Sequence, residues 1–510
     1  MFAKINSLGL FGLNAFPVDV EIEISKGMPA FDIVGLGDVV VKESRERIRA
    51  ALRACDIAFP LGKVMVNLAP ADTKKSGSIT DLAIAVALLA AMGITSDAEL
   101  SDAAFIGEVS LSGAVRELNG VLPMVLTAQK AGLRRVFVPQ GNAREASVVE
   151  DMEVFGVESV RALMAHLDGS YPILTQGSYE VLHDVEFYGL DFADVKGQPT
   201  AKRALEIAAA GNHNALLIGA PGSGKSMLAK RMPSILPSMT FAESIETTNV
   251  HSISGLLDRE TPLVTARPFR APHHTISPAG LVGGGSIPRP GEISLAHNGL
   301  LFLDELAEFA RSTLEILRQP VEDKKVTLSR AAGTVSYPCD IMLVGAMNPC
   351  PCGYYGHPTR KCICTPKQVA AYLSKISGPM LDRFDLHIEV APVEFEHISS
   401  KEKEETSKAV RERVQAAREI QSRRFKGTGI TCNAGITSDL LHQICPMEPD
   451  ASELLKAVFV KMGLSARAYD RILKVSRTIA DMAGQEVIHK TDIAQAVQYR
   501  SLDRKYWRGA

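Results

Sequence analysis

The chain has no excess of charge of either sign. Its 56 Lys and Arg residues stand against 58 Asp and Glu residues, a formal net charge of −2. That excludes a global basic field, so any nucleic-acid contact has to come from local patches. Long apolar runs are missing as well. The longest, LAIAVALLAAMGI, covers only Leu82 to Ile94, well short of the roughly 20 residues that span a bilayer. The opening stretch MFAKINSLGLFGLNAFPVDV has one lysine, a broken apolar run and no small-residue cleavage site behind it, so it reads as a strand or hairpin and not as a signal peptide. The expectation is a cytoplasmic protein with no membrane partner. Low-complexity segments are absent, and so are repeats of about 20–50 residues. Cysteine is scarce too: eight in the whole chain, four of them between positions 350 and 364. In a reducing compartment that clustering points to metal or redox chemistry more than to structural disulfides.

What is present is ordinary for a soluble globular chain, 46% apolar and 22% charged. At 510 residues it is too long for one core, and about two to four domains are expected. Residues 1–165 alternate β-like runs (VDVEIEI, KVMVNLA, RRVFVP) with helical ones (VKESRERIRAALRA, DLAIAVALLAAMG), an α/β pattern. Residues 166–190 carry turn residues without a long period and read as a linker. Residues 191–395 alternate again, with the apolar strands NALLIG, GLLFLDE and DIMLVGAMN suggesting a parallel sheet covered on both faces. Residues 396–510 are helical in pattern.

The segment GAPGSGKS, from Gly219 through Ala220, Pro221, Gly222, Ser223, Gly224 and Lys225 to Ser226, fits G-x-x-x-x-G-K-[S/T]. It follows an apolar strand and opens a helix, the context this phosphate loop needs. Glycines let backbone N–H groups curl toward phosphates, Lys225 offers a point charge to the β and γ oxygens, and Ser226 can ligate Mg²⁺. LLFLDE is a matching second strand. It delivers Asp304 to the carboxyl end of the sheet for the Mg²⁺ shell, and Glu305 to orient or deprotonate an attacking water. A DE pair alone is only a polar strand end; downstream of a phosphate loop it favours ATP hydrolysis over binding. Asn348 ends a third buried strand, where its amide either touches the γ-phosphate or water or is satisfied in a turn. Arg383 in SGPMLDRFDL and Arg467 in GLSARAYDR complete an ordered set.

Directly after Asn348 comes CPCGYYGHPTRKCIC. Its two C-x-C pairs, Cys350 with Cys352 and Cys362 with Cys364, are joined through glycines and a proline, and can fold back to present four thiolates to a zinc ion. His357 is a substitute ligand. An iron–sulfur cluster and four free thiols are the other readings, the last disfavoured because crowded exposed thiols oxidise readily.

The order of these segments resembles an AAA+ ATPase of the magnesium-chelatase-like branch, and in detail the ComM/YifB family of bacterial competence-related proteins. RPFRAPHHTIS, GGGSIPRPGEISLAHNGLLFLDE, SGPMLDRFDLHIEV, NLAPAD and LKVSRTIAD carry that resemblance across essentially the whole chain. It implies an AAA+ core with a C-terminal helical lid, Asn348 as sensor 1, Arg383 as arginine finger and Arg467 as sensor 2. It also implies a homohexameric ring with ATP held between subunits, and a DNA motor that promotes branch migration in natural transformation.

Two insertions would line the pore of such a ring. One, at about 266–290, contains Arg267 and Arg270; the other, KKVTLSRAAGTVSYP, reads as a hairpin around Ala331-Ala332-Gly333 and carries Lys324, Lys325 and Arg330. Their cations either meet DNA phosphates or are ordinary solvated loop charges. The N-terminal region resembles the Lon-protease-type fold, with Ser78 near the position of the nucleophile. Where Lon has G-G-x-K-x-K, this chain has Asn119, Gly120, Val121, Leu122, Pro123 and Met124. Without the lysine the serine has no base, and a scaffold is expected in place of a peptidase. The motor subunit of a magnesium chelatase, a Lon-like ATP-dependent protease and a non-motor nucleotide-regulated module are the competing readings.

Overall fold

Alternation decides the first strands. In Asn14–Ser25 the side chains of Val18, Val20, Ile22 and Ile24 are buried at every second position, as a strand with one face on a core requires. This strand pairs antiparallel with Phe2–Phe11. In the computed structural model the described residues are 1–35, 37–75, 77–179, 189–258, 260–285, 288–330, 333–393, 404–500, 502, 506 and 507. They form two units that do not follow chain order. One comprises the described parts of Met1–His183 with Phe241–Val264 and Ser329–Tyr337; the other comprises those of Asp184–Thr240, Thr265–Leu328 and Pro338–Ala510.

The first unit is built on a seven-stranded mixed sheet. Its order is Ala30–Val34, Lys63–Ala69, Asn14–Ser25, Phe2–Phe11, Ala103–Phe105, Arg135–Pro139 and Glu153–Val157. The apolar run singled out above becomes the helix Asp81–Ala91, buried at every position except Ala90, which explains why it shows no amphipathic period. Phe105, Phe137 and Phe155 stack in line across three adjacent strands, with centroids 4.6 and 4.7 Å apart. The helix Phe241–Ile253, which lies in chain order within the stretch read as the ATPase core, packs with this unit.

The second unit holds a five-stranded sheet, all parallel, in the order Phe269–Arg270, Leu300–Leu303, Met342–Met347, Ala215–Gly219, Leu386–Val390. Every residue of the three middle members Leu300–Leu303, Met342–Met347 and Ala215–Gly219 is buried, which is why these read as continuous apolar runs. The C-terminal helices share that core. Ser407–Arg424 starts at Thr406, whose hydroxyl accepts the Ala409 N–H at 3.4 Å, and buries Val410, Val414 and Ala417 at helical spacing. Each valine contributes about 1.5–3 kcal/mol by burial. Asp481 lies buried among Arg424 (Nη1–Oδ2, 2.8 Å), Arg477 (Nε–Oδ1, 3.1 Å) and the amide of Asn433 (2.8 Å). The block LKVSRTIAD is therefore largely the wiring of this network.

Lys325–Arg330 and Gly333–Pro338 form a two-stranded sheet, so the hairpin expected there exists. Ala331 and Ala332 at its tip lie outside the described residues, as does part of the linker, 180–188. Among the described residues no helix is long and apolar enough to cross a membrane.

Candidate nucleotide site and cysteine cluster

The strand Ala215–Gly219 sits between Met342–Met347 and Leu386–Val390 and ends in the phosphate loop. Gly222 and Gly224 adopt φ of 76° and 94°, left-handed values that a side chain would strain. The helix Lys225–Arg231 follows. Lys225 is 8% exposed and its ammonium donates to the carbonyls of Gly219 (2.8 Å) and Ala220 (2.9 Å) and to Oδ1 of Asn348 (3.1 Å). Burial pushes this lysine below its usual range while Asp304 opposes the shift. An incoming polyphosphate would restore the lost stabilisation of the cation. The hydroxyl of Ser226 donates to Oδ2 of Asp304 at 2.7 Å, placing both expected Mg²⁺ ligands side by side. Lys225 and Ser226 from the helix, and Asp304 and Asn348 from the ends of two strands, thus meet at one end of the sheet.

Glu305 sits at φ 51° and its Oε2 lies 3.3 Å from Nδ1 of His274. Sequence reading left His274 without a role; only the folded chain brings it to the glutamate. Arg383 and Arg467 are elsewhere. Both line a second cavity of about 460 Å³, beside Arg471 and Lys474, which no phosphate-loop residue lines. Arg383 is 9% exposed and donates to Glu322 and, through Nε, to the carbonyl of Arg318 at 3.3 Å. Burial disfavours its charge; Glu322 opposes this, and the nearby Arg467 and Arg471 add to it.

The four clustered cysteines converge. Sulfur atoms of Cys350, Cys352 and Cys362 lie 3.4, 3.6 and 3.7 Å apart, and all four, with Cys364, fall within 4.8 Å of one another. Four thiolates on zinc at about 2.3 Å in a tetrahedron would sit about 3.8 Å apart, so the residues fit the ion. Burial pushes the Cys352 thiol up, but the backbone N–H groups of Tyr354 and Ile363 outweigh it and hold the thiol at about 6. His357 is not part of this cluster: its Nδ1 accepts the N–H groups of Thr359 (3.2 Å) and Arg360 (3.0 Å).

The cations expected on DNA divide. Arg267 donates to the carbonyls of Pro237 (2.7 Å), Asn298 (2.7 Å) and Ser238 (3.2 Å), and Arg270 forks onto Glu292 at 2.6 and 2.7 Å. Both act as internal clamps, because a guanidinium near several acceptors satisfies them first. Lys324 bonds Asp340 at 2.8 Å. Lys325 and Arg330 are exposed on the hairpin, Arg330 bonding the carbonyl of Ser329 at 2.9 Å. In the first unit Ser78 is buried and donates to Glu108, and buried Lys75 donates to the carbonyl of Pro70.

Comparison with known proteins identifies the family. Family models described as "Magnesium chelatase, subunit ChlI", "Subunit ChlI of Mg-chelatase" and "Magnesium chelatase, subunit ChlI C-terminal" match residues 191–398, 20–142 and 404–500. The Competence protein ComM of Haemophilus influenzae is 42% identical over 510 residues, 98% of this chain and 98% of that one. The chain belongs to the ComM/YifB family. The uncharacterized YifB of Escherichia coli is 41% identical over 505 residues, 98% of this chain and 97% of its own length. A Lon protease of Acinetobacter baumannii is 28% identical over 177 residues, 32% of this chain and 21% of that one. Because a chelatase-named model also covers 20–142, domain names alone do not separate this family from the chelatase subunits; the full-length ComM/YifB relatives do. This is a magnesium-chelatase-like AAA+ family, which implies an ATPase using ATP and Mg²⁺.

Proposed function

We propose that the chain is an ATP-hydrolysing AAA+ motor that works as a homohexameric ring on single-stranded or branched DNA and drives branch migration in recombination and natural transformation. The observation that carries this reading is the separation of the two halves of the site. Lys225, Ser226, Asp304 and Glu305 gather at the phosphate loop, while Arg383 and Arg467 line a different cavity of the same unit. In this reading one chain holds the nucleotide-binding half and, at a different cavity, the cationic half that would stabilise phosphoryl transfer on a neighbour, which supports a head-to-tail ring. Ser226 and Asp304 would hold Mg²⁺, which would supply charge stabilisation for phosphoryl transfer. Lys225 and the loop N–H groups hold the triphosphate, Asn348 fixes the Lys225 ammonium, and Glu305, positioned by His274, takes the proton of the attacking water. A neighbour's Arg383 must leave Glu322 to reach the γ-phosphate.

In this reading residues 1–165 organise the ring without proteolysis, since among the described residues Ser78 bonds a carboxylate and no amine. Residues 191–395 and 396–510 form the motor and its lid. Lys325 and Arg330 on the hairpin are the phosphate contacts, and Arg267, Arg270 and Lys324, already engaged, are not. Cys350, Cys352, Cys362 and Cys364 hold one zinc ion. The test is a synthetic branched junction incubated with protein and MgATP. ATP-dependent strand displacement, abolished by Lys225→Ala, is expected; an intact junction under conditions where ATP is consumed would rule the motor role out.

A further inference from the structure

The cysteine-bearing loop lies against the phosphate loop. Gly353, at φ 82°, comes so close that a Cβ there would stand 2.4 Å from Cδ of Pro221. The two segments border one cavity of about 500 Å³, lined on one side by Val195, Gln198, Pro221 and Met227, and on the other by Tyr354 and Arg360. That volume is typical of a small-ligand site. Lys225, Ser226, Asp304 and Asn348 do not line it. If they hold the triphosphate tip and its Mg²⁺, the cavity receives the other end of the nucleotide, the sugar and base, and its apolar side chains suit a base.

The wall supplied by the cysteine loop is organised. The guanidinium of Arg360 lies 5.2 Å from the centre of the Tyr354 ring, and its Nη1 donates to the Tyr354 hydroxyl at 2.8 Å. His357 meets the same ring edge-on at 5.6 Å, and its Nδ1 accepts the Arg360 N–H. Among the described residues Arg360 has no carboxylate within ion-pair distance, and it lines the cavity together with Asp194. The segment bearing Tyr354, His357 and Arg360 runs between Cys352 and Cys362, whose sulfurs lie 3.6 Å apart. It has little apolar side chain to bury. Closing its two ends at the cysteine cluster is therefore what restricts it.

We propose that this loop is the outer wall of the nucleotide site, that Tyr354 and Arg360 bind the sugar-and-base end of the nucleotide, and that the metal at the four cysteines sets their position and so the nucleotide affinity. The inference rests on the reading of the phosphate loop and the cysteine cluster given above. Mg²⁺-bound ADP is the probe, titrated calorimetrically into the full-length protein, with zinc measured by elemental analysis on each preparation. Arg360→Ala and Tyr354→Ala are expected to raise Kd about tenfold or more, as for loss of a charged hydrogen bond or a stacking partner, at unchanged zinc content and melting temperature. Cys362→Ser/Cys364→Ser is expected to lose zinc and weaken binding to a similar degree. Adding Arg360→Ala to that variant should then change Kd less than twofold, because the two changes remove the same interaction.

Wild-type affinity within twofold in both Arg360→Ala and Tyr354→Ala would overturn the wall. Weak binding in those variants, with no change in the cysteine variant, would overturn the metal link and leave the wall standing. If the wild-type protein failed to bind MgADP at all, the phosphate-loop reading itself would fall and this inference with it.

Discussion

Replacing Arg383 with alanine should give a folded protein that binds nucleotide and does not turn it over. The structure sets the expected stability cost. The partner left behind, Glu322, is 55% exposed and can be hydrated, so breaking the ion pair itself costs about 0–1 kcal/mol, to which loss of the bond from the buried guanidinium to the Arg318 carbonyl adds about 0.5–1.5 kcal/mol. The Arg383 carbonyl, which accepts the Asn214 amide at 2.8 Å, is untouched by a side-chain change. Loss of an arginine finger, in contrast, lowers the rate by about 10³–10⁵. Lys225→Ala should be inactive for the complementary reason, a vacant phosphate loop. Because each subunit supplies one half of two different sites, an equimolar mixture of the two dead proteins should regain activity. With random assembly, about one interface in four pairs an intact phosphate loop with an intact finger, so about a quarter of wild-type turnover is expected if interfaces act independently. The assay is phosphate release at fixed total protein as the mixing ratio is varied, after subunit exchange. The recovered rate should peak at equal amounts. No recovery at any ratio would refute the argument, because Arg383 would then act on its own chain's nucleotide or not at all.

Glu305→Gln should keep MgATP affinity within about twofold while lowering hydrolysis about 10²-fold or more, since the amide cannot take the proton from water; single-turnover phosphate release checks it. Asp481→Ala should destabilise by about 3–5 kcal/mol, because Arg424 and Arg477 would stay buried without their counter-charge, and a urea unfolding midpoint measures it. The Asp385 carboxyl is pushed up by burial, but more strongly held down, to about 2, by His213 and then Arg471. A depressed carboxylate stabilises above its unfolded pKa of about 3.9, and the stabilisation, about 2–3 kcal/mol, is lost as pH falls toward 2. Asp385→Asn should therefore flatten that part of the stability-against-pH curve.

The parallel sheet and the phosphate loop were legible because both are local patterns: buried parallel strands announce themselves as apolar runs, and a glycine-lysine turn needs its residues in order. The convergence of the four cysteines was legible from spacing, as the gap between Cys352 and Cys362 is long enough to fold back. What was not legible depends on partners far away in sequence. Nothing near Arg267 signals that three carbonyls will consume it, and Arg270 meets Glu292 only after a loop closes. A run of basic residues gives charge but not what it faces. The pairing of His274 with Glu305, the seating of Gly353 on Pro221, and the packing of Phe241–Ile253 with the first unit are likewise tertiary facts. The period of that helix gave no hint of which core it would join.

The most direct test of the central claim is the steady-state ATPase rate measured with and without single-stranded and forked DNA at fixed salt. A DNA motor predicts that DNA raises the rate severalfold, that the stimulation falls steeply as salt rises because the contacts are to phosphates, and that Lys325→Ala with Arg330→Ala removes most of it while leaving the basal rate. An ATPase rate indifferent to every DNA structure, at salt low enough for phosphate contacts to form, would contradict the account and return the chain to the chelatase-type or regulatory readings.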